Sequence, residues 1–281
     1  MNDNILPDDF FKKNLSYECG DKSMKSRLGF LPSSLWKPDT KITKYLKEII
    51  NDKCQVRQTK NSNRSDRRHG VNNGKCSIFN PQLAQMILAA YAPLNGKVYD
   101  PFGGGGTRGY IATKMGYDYT GIEIREEEYN RVKEQMEQWG IDFNFILNDS
   151  TKYKPEGDFD FVFSCPPYYD LEVYSDLAGD LSNANSYDEY LCMLKNVLQN
   201  CYDVLKKNCF AVFVVGNFRN KKGELENLNG DLITKAKEVG FKLWDELIWM
   251  GASNVALTRC GKFEKNRKSV RMHEYIIILK K

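Results

Sequence analysis

From Pro81 onward the apolar positions switch between helical and strand spacing, which predicts helices and strands in regular alternation. Pro81–Tyr91 (PQLAQMILAAY) carries a helical pattern, with Asn80 as N-cap and Pro81 at the first helical position. Lys97–Asp100 reads as a short strand and Thr107–Met115 as a helix closed by Gly116. Tyr117–Ile124 is a second strand, Glu126–Trp139 a helix closed by Gly140, and Phe143–Leu147 a third strand. Phe159–Ser164 is a fourth strand, Tyr187–Leu205 a long helix, and the apolar run Cys209–Val215 a fifth strand. A helix over Leu232–Val239 and strands near Phe241–Met250 and Glu274–Leu279 complete the series. The alternation predicts an α/β fold, a Rossmann-like, doubly wound, mostly parallel sheet.

The first quarter of the chain lacks this rhythm. Residues 1–76 form an irregular N-terminal extension with a basic loop, and residues 77–281 one catalytic domain. Within the extension, Phe30–Trp36 reads as an apolar loop packed on the body, and Ile42–Ile50 as a short helix. Residues 51–75 are polar, Asn- and Arg-rich and aperiodic, the pattern of a mobile loop.

Charge sharpens this picture. The formal net charge of +4 is unevenly spread. Lys53, Arg57, Lys60, Arg64, Arg67, Arg68 and Lys75 cluster in one segment, and a second basic cluster lies beyond Arg259, including Arg267 and Lys268. The rest of the chain is net negative, so a polyanionic partner gripped at chosen places is implied, with Arg64, Arg67, Arg68, Arg267 and Lys268 as candidate contacts. Between residues 156 and 190 stand nine acidic residues and no Lys or Arg. That stretch should avoid phosphate, and either salt-bridges the basic C-terminal segment or hydrogen-bonds base edges. The acidic, broken N-terminus is no signal peptide and no apolar run would span a bilayer, so a cytoplasmic location is expected. Cys165, Cys192, Cys201 and Cys209 lie in apolar stretches and read as small core residues. Cys19, Cys54, His69 and Cys76 match no zinc-knuckle spacing, and no metal is expected.

The chemistry concentrates in two turns. Val98-Tyr99-Asp100-Pro101-Phe102-Gly103-Gly104-Gly105-Gly106-Thr107 joins a strand to a helix, where open α/β sheets bind ligands. Its glycines permit a sharp turn and close approach to a ligand, and the helix start offers unpaired N–H groups. Glu123 ends the next strand about 20 residues on, where a carboxylate can take both ribose hydroxyls. A nucleoside cofactor is implied; a nicotinamide dinucleotide is the competitor, although here Asp-Pro-Phe precedes an unbroken glycine block. The second turn, Ser164-Cys165-Pro166-Pro167-Tyr168-Tyr169, follows the fourth strand, and its two prolines make a stiff turn without N–H donors.

Asp100-Pro101-Phe102-Gly103-Gly104-Gly105-Gly106-Thr107 resembles the first motif of the S-adenosylmethionine-dependent DNA amino-methyltransferases, the N6-adenine and N4-cytosine type. Downstream, Asp170-Leu171-Glu172-Val173-Tyr174-Ser175, Val214-Val215-Gly216-Asn217-Phe218-Arg219, Arg267-Lys268 and His273-Glu274 resemble a group of these enzymes often found in bacteriophage genomes. The resemblance implies the class I methyltransferase fold, S-adenosylmethionine as cofactor and DNA as partner. It implies cofactor contacts from Asp100, Phe102, Gly103, Gly105 and Thr107, with Glu123 on the ribose and Asp149 on the adenine amino group. Phe79 and Asn80 resemble the segment closing over the methionine end. A turn cap is the alternative role for Asp149.

The second turn resembles the same family's catalytic motif, in which Asp, Asn or Ser precedes Pro-Pro and then Tyr or Phe. The resemblance implies that a side-chain oxygen and the carbonyl of Pro166 accept the hydrogens of the exocyclic amine, while Tyr168, after Pro167, stacks on a base flipped from the duplex. Cys165 departs from the pattern, because a thiol is a weak acceptor. Either the Pro166 carbonyl carries most of the polarisation, or Ser164 or Asp170 contributes. A nucleophilic Cys165, as in cytosine C5-methylation, is the opposed mechanism, although those enzymes place Cys after Pro. An RNA base methyltransferase, or an inactive DNA-binding protein of this fold, are the alternative functions.

Overall fold

The computed structural model describes residues 33–53, 79–169, 173–220, 222–251, 263 and 266–281. In chain order these hold β1 (Leu35–Trp36), α1 (Thr40–Lys53), α2 (Pro81–Tyr91), β2 (Lys97–Asp100), α3 (Thr107–Lys114), β3 (Asp118–Glu123), α4 (Glu126–Trp139) and β4 (Asn144–Leu147). There follow β5 (Phe159–Ser164), a 3-10 turn (Leu181–Asn183), α5 (Tyr187–Val204), β6 (Leu205–Val215), β7 (Phe218–Arg219), β8 (Leu225–Glu226), α6 (Leu228–Val239), β9 (Lys242–Met250) and β10 (His273–Lys280).

The local signals explain the boundaries. The side chain of Asn80 accepts the N–H groups of Gln82 and Leu83 at the head of α2, with Pro81 where no N–H is needed. Gly140 closes α4 in the left-handed conformation, at φ 62°. Ser186 caps α5 by accepting from the N–H of Glu189. α2 is buried from Pro81 to Ala89, so its apolar pattern wraps round the helix instead of forming one stripe.

Eight strands form one sheet in the order β1-β9-β10-β6-β5-β2-β3-β4, mostly parallel, with β10 antiparallel between β6 and β9. Side chains of α1 to α4 pack on one face and those of α5 and α6 on the other, giving two apolar layers. From β2 the chain winds outward to β3 and β4, and from neighbouring β5 it winds the opposite way to β6. That reversal leaves a crevice at the carboxyl ends of β2 and β5.

The structure corrects the sequence reading in four places. Leu35–Trp36 is a strand rather than a loop: it pairs in parallel with Ile248 and Trp249 and extends the sheet edge. β6 begins at Leu205, opposite Phe159, and the polar Lys206-Lys207-Asn208 lies in a register shift before pairing with β5 resumes at Phe210. The hairpin of β7 and β8 was not foreseen. Cys192 is exposed on α5, whereas Cys201 is buried in the core as expected. No described helix is long and apolar enough to cross a membrane.

Trp36 shows what the short edge strand contributes. It is 2 % exposed and stacks on Tyr91 at 6.5 Å between ring centroids. Trp36→Ala should therefore lower stability by about 3–5 kcal/mol, read as an earlier urea midpoint at unchanged slope. An unchanged midpoint would mean that β1 adds nothing to the core.

Candidate active site

At the crevice lies a cavity of about 400 Å3. The β2–α3 turn lines it through Pro101–Gly105, Thr107 and Arg108, and the end of β3 through Ile122–Arg125. The turn after β5 contributes Cys165, Pro166, Pro167 and Tyr168. Phe79, Asn80, Ser150, Tyr174, Gly179, Asp180 and Leu181 close other sides, with Trp249 of β9 and Glu274 of β10 at the far wall.

Beneath the cavity sits Asp100, fully buried at the end of β2. Its Oδ1 accepts from the N–H of Phe102 at 3.0 Å and from the Ser164 hydroxyl at 2.5 Å. Its Oδ2 accepts from Arg108 Nε at 2.6 Å and from the Tyr119 hydroxyl at 2.7 Å. One carboxylate thus ties the glycine turn, the start of α3, strand β3 and the end of β5 to a single point. Arg108 also donates to the Phe102 carbonyl, and its guanidinium lies 4.9 Å from the Phe79 ring centroid, which holds the segment before α2 against the turn. Burial pulls the Arg108 pKa down, but the Asp100 charge outweighs it and the net shift is upward.

The glycines are steric necessities at two points. Gly103 donates to the Ile122 carbonyl at 2.7 Å, and a Cβ there would meet the Phe145 ring at 2.5 Å. Gly106 precedes α3 at φ +75°, which disfavours any side chain. Glu123 faces the cavity from the end of β3. Its Oε1 accepts from the N–H of Arg125 at 2.8 Å. Burial pushes its carboxyl up to about 7, with the charge and N–H of Arg125 pulling the other way.

In the second turn, Cys165 Sγ lies 3.9 Å from the Tyr168 hydroxyl, which donates to Glu274 Oε1 at 3.1 Å. Burial pushes the Cys165 thiol up to about 12, with Arg108 opposing, so at neutral pH it is a protonated thiol and not a nucleophile. The Tyr190 hydroxyl occupies the Pro167 carbonyl at 2.8 Å. Tyr169 takes the left-handed conformation at φ 42°, with its ring among those of Tyr187, Tyr190 and Phe218.

Most of the residues singled out in the sequence meet in this cavity: Phe79, Asn80, Phe102, Gly103, Gly105, Thr107, Glu123, Cys165, Pro166, Pro167 and Tyr168. Asp100 and Ser164 lie behind its wall, bonded to each other. Asp149 is off the wall as well: its Oδ1 accepts the N–H and hydroxyl of Thr151, the turn-cap arrangement, while Ser150 lines the cavity. Arg64, Arg67, Arg68 and Asp170 fall outside the described residues, as do Cys19, Cys54, His69 and Cys76. Among the described residues no cluster suited to a metal ion occurs. Arg267 is exposed beside Phe263, and Lys268 Nζ donates to the Gly223 carbonyl in the β7–β8 turn at 2.7 Å. Described members of the acidic stretch are engaged locally: Asp160 pairs with Lys206, Asp180 caps the 3-10 turn, and Glu189 accepts from Asn185.

Arg108, Trp249 and Glu274 are site residues that sequence reasoning missed or left without a role. Arg108 carried a signal, a cation in the first turn of a helix that follows an acid at a strand end. Glu274 stood out only as part of the His273-Glu274 pair that resembles the family, without a role, and Trp249 carried no signal; the pairing of β9 with β10, where they are direct partners, brings them together.

Across residues 5–134 and 159–281 the chain matches the family model N6_N4_Mtase, described as DNA methylase. The match begins well inside the segment that the motifs left unassigned. No curated protein matches the chain. Among solved structures, TrmN from Thermus thermophilus aligns at TM-score 0.50 with 14% identity over 84% of this chain, which spans 53% of that protein. A methyltransferase from Pyrococcus furiosus aligns at TM-score 0.51 with 14% identity, covering 74% of this chain and 85% of its own. At such identity the likeness is one of fold, the Rossmann-like class I methyltransferase fold.

The Asp100 junction yields a stability prediction. Asp100→Ala leaves Arg108 buried without its counter-ion and should lower stability by about 3–5 kcal/mol in urea unfolding. Adding Arg108→Met should recover part of the loss, because the stranded charge is then gone. Additive losses would show that the two side chains act separately.

Proposed function

The chain belongs to the DNA methylase family, and from that premise we propose that it transfers a methyl group from S-adenosylmethionine to an exocyclic amino group in DNA, adenine N6 or cytosine N4. One observation carries the choice of cofactor. Arg108 and Arg125 are the described cations on the cavity wall, and both are committed, Arg108 to Asp100 and Arg125 to Glu123 and Glu128. Against them stand Glu123, Asp180 and Glu274. A cavity with this balance suits a cationic sulfonium and opposes the pyrophosphate of a dinucleotide.

The residues present fit such a group. A cavity of about 400 Å3 is in the range that takes a nucleoside-sized ligand. Glu123 would accept the ribose hydroxyls, Phe102 and Ile124 would flank the adenine, and Asn80, Gly103 and Gly105 would lie along the methionine part. When bound, S-adenosylmethionine supplies an electrophilic methyl group on sulfur. The protein then has three tasks. Tyr168 would stack on the flipped base, the stiff Pro166-Pro167 turn would hold the Pro166 carbonyl at the amine, and the closed walls would keep water out. Because the amine's lone pair is delocalised into the ring, accepting its hydrogens is what localises that pair on nitrogen. Arg64, Arg67, Arg68 and Arg267 would follow the DNA backbone, with Lys268 bracing the neighbouring hairpin.

Tritiated methyl transfer from S-adenosylmethionine to unmethylated DNA, to RNA and to no nucleic acid tests the reading. Label should enter DNA and be released as a methylated exocyclic amine. Label in RNA alone would reassign the substrate, and none in either would leave a binding protein.

Glu123 gives a pH test. Its ionised form accepts from the ribose, so protonation near pH 7 competes with binding. Cofactor affinity should hold above pH 8 and weaken by about tenfold per unit below 7. The groups facing Glu123 are Arg125, Glu128 and Asp180. Calorimetry across pH 5–9 should show this dependence in the parent and a flat, weaker profile in Glu123→Gln; equal profiles would remove Glu123 from the cofactor site.

A further inference from the structure

We infer that Glu274 is a catalytic residue, whose carboxylate beside Cys165 and Tyr168 accepts a hydrogen of the target amine and takes the proton that nitrogen sheds. The inference rests on the methyltransferase reading and assigns the acceptor that Cys165 cannot supply. The amine carries two hydrogens to be held, and the Pro166 carbonyl accounts for one. At Cys165 the second acceptor would be a neutral, half-buried thiol, which accepts weakly.

The walls offer three carboxylates, and two are occupied. Glu123 is tied to Arg125 at the far side of the glycine turn. Asp180 uses Oδ1 on the N–H and hydroxyl of Ser182 and Oδ2 on the Ser175 hydroxyl. Glu274 is different. It lines the cavity with Cys165 and Tyr168, and among the described residues its one hydrogen-bond donor is the Tyr168 hydroxyl, on Oε1. A mostly buried carboxylate with one neutral donor and, among the described residues, no cation paired with it is poorly satisfied, and an amine entering the cavity would supply a second donor. Burial also raises the Glu274 carboxyl, partly offset by Tyr168, which makes the group a better proton acceptor than a solvated glutamate. Its position is fixed from the sheet, because Glu274 pairs directly with Trp249 across β10 and β9, and both line the cavity.

The proton balance is simple. As the nitrogen lone pair bonds the methyl carbon, the carbon–sulfur pair stays on sulfur. Nitrogen, now cationic, loses one hydrogen as a proton to Glu274, which passes it to solvent when the product leaves.

The test exchanges the acceptor between the two positions. Glu274→Gln should lower methyl transfer to unmethylated plasmid DNA by about 100-fold or more, with unchanged S-adenosylmethionine affinity and melting temperature. Adding Cys165→Asp to that variant places a carboxylate at the other acceptor position and should restore transfer by about tenfold or more. A second readout needs no turnover. In infrared difference spectra with S-adenosylhomocysteine, plasmid DNA should shift a carboxylate stretching band in the parent, as the amine donates to it, and not in Glu274→Gln. The groups facing Glu274 that also titrate are Tyr168 and Cys165, with Arg108 behind them. A Glu274→Gln variant at full rate, a deficit that Cys165→Asp leaves untouched, or identical infrared differences would each overturn the inference. The first of these leaves the methyltransferase reading intact; a parent chain that methylates no DNA sinks both.

Discussion

A buried carboxylate organises this molecule. Removing the charge of Asp100 from water costs several kcal/mol, and the cost is offset only because both oxygens are fully used. Each of its donors belongs to a different part of the site: the glycine turn, the first turn of α3, strand β3 and the end of β5. Because that charge is stable only with all four in place, it couples the cofactor turn to the catalytic turn. Ser164 is the link between them. It lies at the end of β5 immediately before Cys165, so the same bond that satisfies Asp100 sets where the Pro166-Pro167 turn departs. The Asp-Pro-Phe of the sequence is thus a structural anchor.

The catalytic turn is built under tension that its surroundings absorb. Two prolines restrict the backbone, and Tyr169 just after them takes a conformation unusual for a tyrosine. What holds it there is a nest of rings: Tyr169 meets Tyr187 edge-on, leans on Tyr190 and contacts Phe218, while Tyr187 and Tyr190 stack nearly parallel. Tyr190 also donates to the Pro167 carbonyl. α5 is therefore more than a layer of the sandwich, since its first turns hold the turn that carries Tyr168.

The sheet and its helices were legible because their signals are local. Asn80-Pro81 marks the start of α2, Gly140 the end of α4, and FDFVFS the buried strand β5. That the glycine turn would line a cavity was legible for the same reason, a run of glycines between a strand and a helix with an acid ending the next strand. Spacing alone was ambiguous, however: Gly104, Gly106 and Gly109 also satisfy the dinucleotide pattern, although an Asp-Pro-Phe precedes the unbroken glycine block. What the sequence hid was non-local. Leu35–Trp36 is too short to show alternation and becomes a strand by pairing with β9. Asp149 and Ser164 looked like equal candidates with their neighbours, and their side chains turned out to face Thr151 and Asp100.

The two halves of the site come from opposite ends of the domain. The cofactor turn, Glu123 and the turn before Tyr168 arise from the first five strands of the sheet's parallel half. Trp249 and Glu274 arise from β9 and β10, more than eighty residues later, and they reach the cavity only because β10 inserts antiparallel between β6 and β9. A strand added in reverse brings its N-terminal end to the edge where parallel strands end, so His273-Glu274 sits at the ligand side by topology. Its long pairing with both neighbours makes that placement rigid. A carboxylate carried on a loop would lower its own burial cost by moving to water, whereas one fixed at the start of a central strand cannot. The fold thereby keeps Glu274 buried beside Tyr168 and under-satisfied, the state in which a carboxylate gains most from an incoming N–H donor.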